Sequence, residues 1–143
     1  MNVNFKYCLW FLIKKSDKLE KITNDFKPHI SIKTYLNKKS ALELFTRIKN
    51  HNNYFITLQP KLIESNTNGF KALYYFINYS DKNKKEKPLW WPKNAHLSVR
   101  YNYHDEFTKE DYNSVKLNQL ELETDKIIIM KCDGHHKEWI KII

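Results

Sequence analysis

The sequence Pro-His-Ile-Ser-Ile-Lys occupies residues 28–33, and about half a chain length later Ala-His-Leu-Ser-Val-Arg occupies residues 95–100. Both stretches contain a histidine, an apolar residue, a serine, an apolar residue and a basic residue in the same order. Successive side chains of a β-strand point to opposite faces, so this order predicts two strands that are each polar on one face and apolar on the other. The residues expected on the two polar faces are His29, Ser31 and Lys33, and His96, Ser98 and Arg100.

Apolar patterns outside these stretches predict further strands and three helices. Strands are expected at residues 5–14, 29–36, 54–63, 70–79, 95–103, 126–132 and 138–143. Helical spacing of apolar residues, with capping residues at two of the starts, predicts helices at 16–26, 39–50 and 108–117. The polar, proline-bounded segment 81–93 is expected to be a loop. This order predicts an α+β fold of mostly antiparallel sheet, with two similar lobes in a single domain over residues 1–143.

Length and composition exclude several classes of protein. Of the 143 residues, 41% are hydrophobic and 15% aromatic, which is enough for a buried core and excludes wholesale disorder. The longest apolar run, residues 7–13, is about a third of a membrane span, and it lacks the flanking pattern of a secretory signal. Two cysteines make no disulfide framework, so we expect a cytoplasmic protein with reduced thiols. Two glycines cannot form a Gly-rich phosphate loop, which excludes P-loop and Rossmann sites.

The formal net charge of +9 has two explanations that both stay open. It suggests an anionic partner, such as a phosphate ligand, a nucleic acid or a membrane surface. However, lysine, asparagine and isoleucine are all abundant and all have A/T-rich codons, so a biased genome would supply the lysines without selection for binding. Lysine also far outnumbers arginine, the better bidentate ligand for phosphate, so the bulk charge alone does not indicate recognition.

The two histidine motifs resemble the signature of the 2H phosphoesterases, which is a pair of His-x-Thr/Ser-hydrophobic motifs on strands of two lobes. The resemblance covers nearly the whole chain, including Tyr-Cys-Leu-Trp at residues 7–10 and Gly134 with Trp139 near the C-terminus. Both motifs carry serine where many members carry threonine, and the chain is short for the family. The resemblance implies two pseudo-symmetric lobes of antiparallel β-sheet with flanking helices around a central cleft.

The chemistry of a phosphodiester cleavage suits these residues. A base on the attacking oxygen and an acid on the leaving oxygen are required, and His29 and His96 can supply both because imidazole titrates near neutral pH. Ser31 and Ser98 are expected to donate hydrogen bonds to the non-bridging oxygens, and Lys33 or Arg100 to stabilise the charge that develops there. The motifs are symmetric, so the sequence leaves open which histidine is the acid. No metal and no cofactor is expected.

The resemblance implies a substrate with 2′-linked phosphodiesters, either a nucleotide or a short oligonucleotide. Aromatic side chains near the motifs are candidates for stacking on its bases, and core packing is the alternative for each of them. These candidates are Tyr35, Tyr101, Trp90 and Trp91. No membrane and no obligate protein partner is expected.

The A/T-biased composition resembles that of proteins from a large DNA virus or from another A/T-rich genome. By analogy with small viral family members, the substrate would be a host immune messenger in the host cytoplasm, either 2′,3′-cyclic GMP-AMP or 2′–5′ oligoadenylate. Three alternatives stay open. They are a 2′,3′-cyclic nucleotide phosphodiesterase in RNA or tRNA processing, an RNA ligase-like role on the same fold, and a non-catalytic RNA- or nucleotide-binding module.

A further group of side chains near the C-terminus consists of residue types that bind metal ions. Cys132, His135 and His136 form a Cys-x-x-His-His pattern near the C-terminus. A zinc site needs a fourth ligand, which the sequence does not supply convincingly, so a strand end followed by a surface turn is the preferred interpretation.

Overall fold

The computed structural model describes residues 6–15, 17–23, 26–51, 53–67, 70–103, 105–117, 121–132 and 139–143. Within these residues, the strands are β1 (Tyr7–Ile13), β2 (His29–Leu36), β3 (Phe55–Thr67), β4 (Phe70–Tyr79), β5 (His96–Asn102), β6 (Glu121–Lys131) and β7 (Ile140–Lys141). The helices are α1 (Asp17–Thr23), α2 (Lys38–Ile48) and α3 (Lys109–Ser114). The α+β class and the mostly antiparallel sheet predicted from the sequence are confirmed.

Most element boundaries agree with the sequence, and β6 is the main exception. The strand expected at 126–132 begins earlier, at Glu121, because Leu122 and Thr124 are buried and alternate with exposed or half-exposed neighbours. The sequence signal is weak because one of the two buried residues, Thr124, is polar and because glutamate is uncommon in strands. Among the described residues, the C-terminal strand is Ile140–Lys141, and backbone hydrogen bonds between Ile129 and residues 142 and 143 continue its contact with β6.

Helices α2 and α3 both begin with a capping residue. Asn37 accepts a hydrogen bond from the Ser40 backbone at the start of α2. Thr108 and Asp111 form a reciprocal capping box at the start of α3. Caps of this kind satisfy backbone N–H groups that have no partner within the helix, so they fix where each helix begins.

The strand pairings form one sheet that closes on itself. The order is β1-β2-β5-β4-β3-β6-β7, and β1 also pairs with β6. The β2–β5 junction is given by a single residue pair, and β3 and β6 are joined only over a short register at Phe55–Thr57. The other junctions of the ring are longer. The ring therefore has two narrow junctions, one of which joins the two strands that carry the histidine motifs.

Strand β1 is buried on both faces, which explains its continuous apolar sequence. Leu9 and Phe11 point into the main core, whereas Cys8 and Trp10 point into a smaller apolar cluster on the other face. Helix α2 packs its buried Ala41 into the main core. In the part of the chain that the structure describes, no helix is long and apolar enough to cross a membrane.

The predicted loop at 81–93 is anchored to the sheet. The Tyr79 hydroxyl donates to the backbone carbonyls of Lys85 and Glu86, at 3.0 and 3.3 Å. The Asn83 side chain donates to the Phe55 carbonyl at 2.7 Å and accepts from the Phe55 amide at 2.8 Å. These bonds hold the loop in a defined position against β3 and β4.

Candidate active site

The two histidine motifs lie on neighbouring strands. Ile30 of β2 pairs with Leu97 of β5 in antiparallel register. Because these are the central apolar residues of the two motifs, each histidine lies opposite the serine of the other motif. His29 and His96 are therefore diagonal neighbours on one face, a relationship that spans about 7–8 Å in antiparallel sheets. The arrangement has a local twofold symmetry about the Ile30–Leu97 pair.

The two imidazole rings are held by equivalent hydrogen bonds. Nδ1 of His29 lies 2.7 Å from the carbonyl oxygen of Lys27, and Nδ1 of His96 lies 3.2 Å from that of Asn94. A carbonyl oxygen only accepts, so Nδ1 is the donor in both rings. The hydrogen bond at one ring nitrogen fixes the role of the other, so in the neutral ring Nε2 is the proton acceptor.

Aromatic side chains enclose His29. The Trp10 indole stacks on the imidazole with ring centroids 3.4 Å apart, and Phe26 and Trp139 approach it edge-on at 6.0 and 6.4 Å. The side chain is only 4% exposed. Burial is the main cause that lowers the pKa of His29 to about 4; the bond to the Lys27 carbonyl opposes this shift, and the charge of His96 adds a smaller lowering. His29 is therefore neutral at pH 7, with Nε2 able to accept a proton.

His96 has a more open environment than His29. It is half-buried, and its ring lies 4.8 Å from that of Tyr74, which in turn contacts Phe76 at 5.2 Å. The symmetry of the sequence motifs is therefore broken by their surroundings. The imidazole of His29 is buried and stacked on Trp10, whereas that of His96 is half-buried and lies next to aromatic side chains of β4.

The two serines also differ in burial. Ser98 is buried and its side chain hydrogen-bonds the phenol of Tyr101, whereas Ser31 is half-buried. Burial raises the pKa of Tyr101, so its hydroxyl stays protonated. In the register of the Ile30–Leu97 pair, Ser98 is opposite His29 and Ser31 is opposite His96. From these positions, a serine hydroxyl can donate to a bound phosphoryl oxygen.

A β-bulge follows the serine in β2. Trp10 pairs with Ser31, but the preceding residue of β1, Leu9, pairs with Lys33, so Ile32 is an extra residue in β2. A one-residue slip transfers the following side chains to the opposite face of the sheet. Lys33 therefore shares the face of Leu9 and does not share the face of Ser31, and its side chain is exposed.

A matching bulge follows the serine in β5. Tyr74 pairs with Ser98, whereas its neighbour Leu73 pairs with Arg100, so Val99 is the extra residue. Arg100 is thereby transferred to the face of Leu73. The prediction that simple alternation sets Lys33 and Arg100 beside the histidines is wrong, because a bulge interrupts the alternation in both strands at the same motif position.

Arg100 instead joins β5 to two helices. Its Nη2 donates to the carbonyl of Ile22 at 2.9 Å and to the Ser114 hydroxyl at 3.2 Å, and Nη1 lies 3.8 Å from Asp111 Oδ1. Its buried Nε has no hydrogen-bond partner within the described part of the chain. The role that these contacts support is attachment of α1 and α3 to the sheet.

The same bulge brings Tyr101 onto the histidine face. Tyr101 pairs with Ala72, two residues from Tyr74 on β4 and on the same face. Its ring contacts Phe26 at 4.8 Å and Trp139 at 5.8 Å, so it joins the aromatic enclosure of His29. Trp10, Phe26 and Tyr74 were not among the site residues predicted from the sequence.

The remaining predicted aromatic contacts lie elsewhere. Trp91 is buried in the main core and Trp90 packs against that core, each near Tyr54, so they do not form an exposed stacking pair. Tyr35 is 77% exposed and has a left-handed backbone with a φ of 58°. Trp91 nevertheless lines a cavity next to His96. The structure thus brings together His29, His96, Ser31, Ser98 and Tyr101 among the predicted residues.

No cluster of three or more metal-ligating side chains occurs among the residues that the structure describes. Cys132 contacts the thiol of Cys8 beside Trp10, and hydrogen bonding from Cys132 lowers the pKa of Cys8. His135 and His136 lie outside the described residues.

No family model matches the chain, and a search of curated proteins finds no relative of it.

Proposed function

We propose that the protein is a metal-independent phosphodiesterase of the 2H type, which hydrolyses 2′-linked phosphodiesters of a nucleotide or short oligonucleotide. The observation that supports this most directly is the Ile30–Leu97 pair, which sets His29 and His96 diagonally on one face. The charge of His96 also lowers the pKa of His29, which supports two rings close enough to act on one phosphoryl group. The resemblance of the motifs to the family signature supports the same function.

The unequal surroundings of the two histidines support a division of their roles. His29, which its lowered pKa keeps neutral, accepts the proton of the attacking water or neighbouring hydroxyl at Nε2. His96, protonated in the active form, gives its proton to the leaving oxygen as the P–O bond breaks. If a cyclic intermediate forms first, the two roles reverse in the second step. Ser31 and Ser98 donate hydrogen bonds to the non-bridging oxygens.

The two narrow junctions of the closed sheet support the division into two lobes. One lobe would contain β1, β2, β6 and β7, and the other would contain β3, β4 and β5. The β2–β5 junction, where the motifs meet, then corresponds to the cleft between the lobes. By analogy with viral family members, the substrate is an immune messenger such as 2′,3′-cyclic GMP-AMP or 2′–5′ oligoadenylate.

The direct test is hydrolysis of a substrate panel in the presence of EDTA. The panel contains 2′,3′-cyclic GMP-AMP, 2′–5′ oligoadenylate, 2′,3′-cyclic AMP and a 3′–5′-linked dinucleotide as the negative control. We expect cleavage of 2′ linkages, reduced on the order of 10²–10⁴-fold in both His29→Gln and His96→Gln. His51→Gln, which changes an exposed histidine elsewhere, serves as the matched control.

The alternatives give different results in the same assay. Cleavage of 2′,3′-cyclic AMP alone would identify the RNA-processing activity. If no member of the panel is cleaved, and binding instead weakens steeply with salt and in Lys84→Ala and Lys85→Ala, the protein is a binding module and the proposed activity is refuted.

A further inference from the structure

We infer that a cavity beside His96 binds one complete nucleotide of the substrate, with its base against β4 and its phosphate towards the lysines of the 81–93 loop. This inference rests on the proposed function and deepens it. It assigns the substrate to dinucleotides and oligonucleotides, in which a second nucleotide lies next to the cleaved bond. A mononucleoside cyclic phosphate would leave the cavity empty.

The cavity adjoins the histidine site along β4. It has a volume of about 350 Å³, within the roughly 300–1,000 Å³ that is usual for small-molecule sites. Its lining begins at Asn94 and Ala95, directly before His96, and Asn94 is the residue whose carbonyl accepts from the His96 ring. Phe76, which pairs with His96 across the two strands, also lines the cavity. The cavity is therefore lined by the two residues that precede the proposed acid and by its partner on β4, although His96 itself is not part of the lining.

The walls of the cavity suit a base. Phe76 lines the cavity from the strand position that pairs with His96, and it is half-buried, so one side of its ring remains accessible. An aromatic face of this kind stacks on any nucleobase. Beside it, Gln59 donates to Asn78 at 3.0 Å, which fixes the two side-chain amides relative to each other. Amides offer a donor and an acceptor together, which is the pattern on base edges.

The loop side of the cavity suits a phosphate. Lys87 and Lys93 both line it, and both side chains are exposed. Asn94 has a φ of 54°, and this left-handed turn lies between Lys93 and the strand that begins at His96. Asparagine tolerates that conformation better than most residues.

Aromatic packing and hydrogen bonds fix the loop wall of the cavity. Trp91 lines it and packs against Tyr79 at 5.0 Å, and the Tyr79 hydroxyl is bonded to the loop carbonyls. A site with a fixed loop loses little conformational entropy when the ligand binds. The arrangement thus combines a stacking surface, a fixed amide pair and two cations next to the proposed catalytic acid.

The first experiment measures binding without catalysis. ¹H–¹⁵N NMR spectra are recorded during titration with 5′-AMP, 5′-GMP or inorganic phosphate. We expect both nucleotides to shift the side-chain amides of Gln59 and Asn78 and the indole N–H of Trp91. Phe76→Leu and Lys93→Ala should each weaken binding about tenfold. Lys39→Ala, an exposed lysine on α2, is the matched control and should bind as the wild type does.

The second experiment measures selectivity. The ratio of kcat/KM for a 2′-linked dinucleotide to that for 2′,3′-cyclic AMP should fall about tenfold in Phe76→Leu and Lys93→Ala. Equal losses on both substrates, shifts that map elsewhere, or equal shifts with inorganic phosphate alone would overturn the nucleotide cavity. If AMP binds in the cavity but no substrate is hydrolysed, the cavity is supported and the proposed catalytic function fails.

Discussion

The indole of Trp10 lies parallel to the imidazole of His29, with ring centroids 3.4 Å apart and planes 11° apart. The two residues pack because β1 and β2 are adjacent, with Trp10 pairing with Ser31 on the same face. The stack removes His29 from water and fixes the plane of its ring. It therefore affects both the pKa of the imidazole and the direction in which Nε2 points. Trp10 is therefore a positioning residue for the proposed base.

Replacing Trp10 should separate stacking from burial. We expect Trp10→Phe, which keeps an aromatic face, to retain most turnover. Trp10→Leu keeps an apolar neighbour but lets the imidazole rotate, so kcat should fall on the order of 10–100-fold while the pKa of His29 stays below its ordinary value. Steady-state kinetics and ¹⁵N NMR of the imidazole measure the two effects. Equal kcat in the two variants would contradict the positioning role.

The lowered pKa of His29 predicts a pH dependence of stability. The folded protein resists protonation until about pH 4, whereas an unfolded histidine takes up a proton near pH 6.5. Between these pH values the unfolded chain binds more protons than the folded protein does. The contribution of His29 to the free energy of unfolding is therefore fully present above pH 6.5 and is lost as the pH falls towards 4. The loss attributable to His29 is about 3 kcal/mol.

Urea unfolding at several pH values checks this expectation. In His29→Gln, the decrease of stability between pH 6.5 and 4 should be shallower than in the wild type. The comparison uses the slopes with pH, so a change in stability common to all pH values does not affect it. Parallel profiles for the two proteins would show that His29 is not the group responsible.

Arg100 should affect stability more than catalysis. Its guanidinium bonds the carbonyl of Ile22 and lies near Asp111, and the side chain is 25% exposed, so we expect Arg100→Ala to lower the free energy of unfolding by about 1–3 kcal/mol. Denaturant unfolding measures this loss. A double-mutant cycle with Asp111→Asn should give a coupling below about 1 kcal/mol, because the pair is partly exposed. A large rise in KM with little change in stability would instead restore the phosphate-binding role predicted from the sequence.

Tyr101→Phe should test the hydroxyl that contacts Ser98. The variant keeps the ring contacts with Phe26 and Trp139, but it removes the partner that orients the Ser98 side chain. We expect kcat to fall by about 3–10-fold with little change in KM, because a lost hydrogen bond is worth about 1 kcal/mol. Tyr103→Phe provides the matched control, and an identical effect there would contradict the assignment.

The sequence predicted the strands and the histidine face well, and it failed where irregular backbone intervenes. Alternation holds from each histidine to the serine two residues later. It then stops, since Ile32 and Val99 are extra residues whose apolar identity is normal for any strand. A bulge has no compositional signature of its own at such positions, so the faces of Lys33 and Arg100 could not be derived.

Three other features depended on tertiary packing. Residues 7–13 are apolar at every position, so alternation could not indicate that Trp10 faces His29. Trp91 lies in a polar loop, but the loop folds back and buries this side chain against Tyr54. The pairing of Ile30 with Leu97 is a contact between distant parts of the chain, which a sequence pattern suggests only through the repetition of the motif.

The closure of the sheet through β1 and β6 has a consequence for synthesis of the protein on the ribosome. Strand β1 emerges early and can pair with β2, but β6, which covers its second edge, is made only after β3, β4 and β5. During that interval an apolar strand has an unpaired edge that can template association between nascent chains. The yield of folded protein should therefore depend on chaperone capacity and on translation speed more than the stability of the finished fold would suggest.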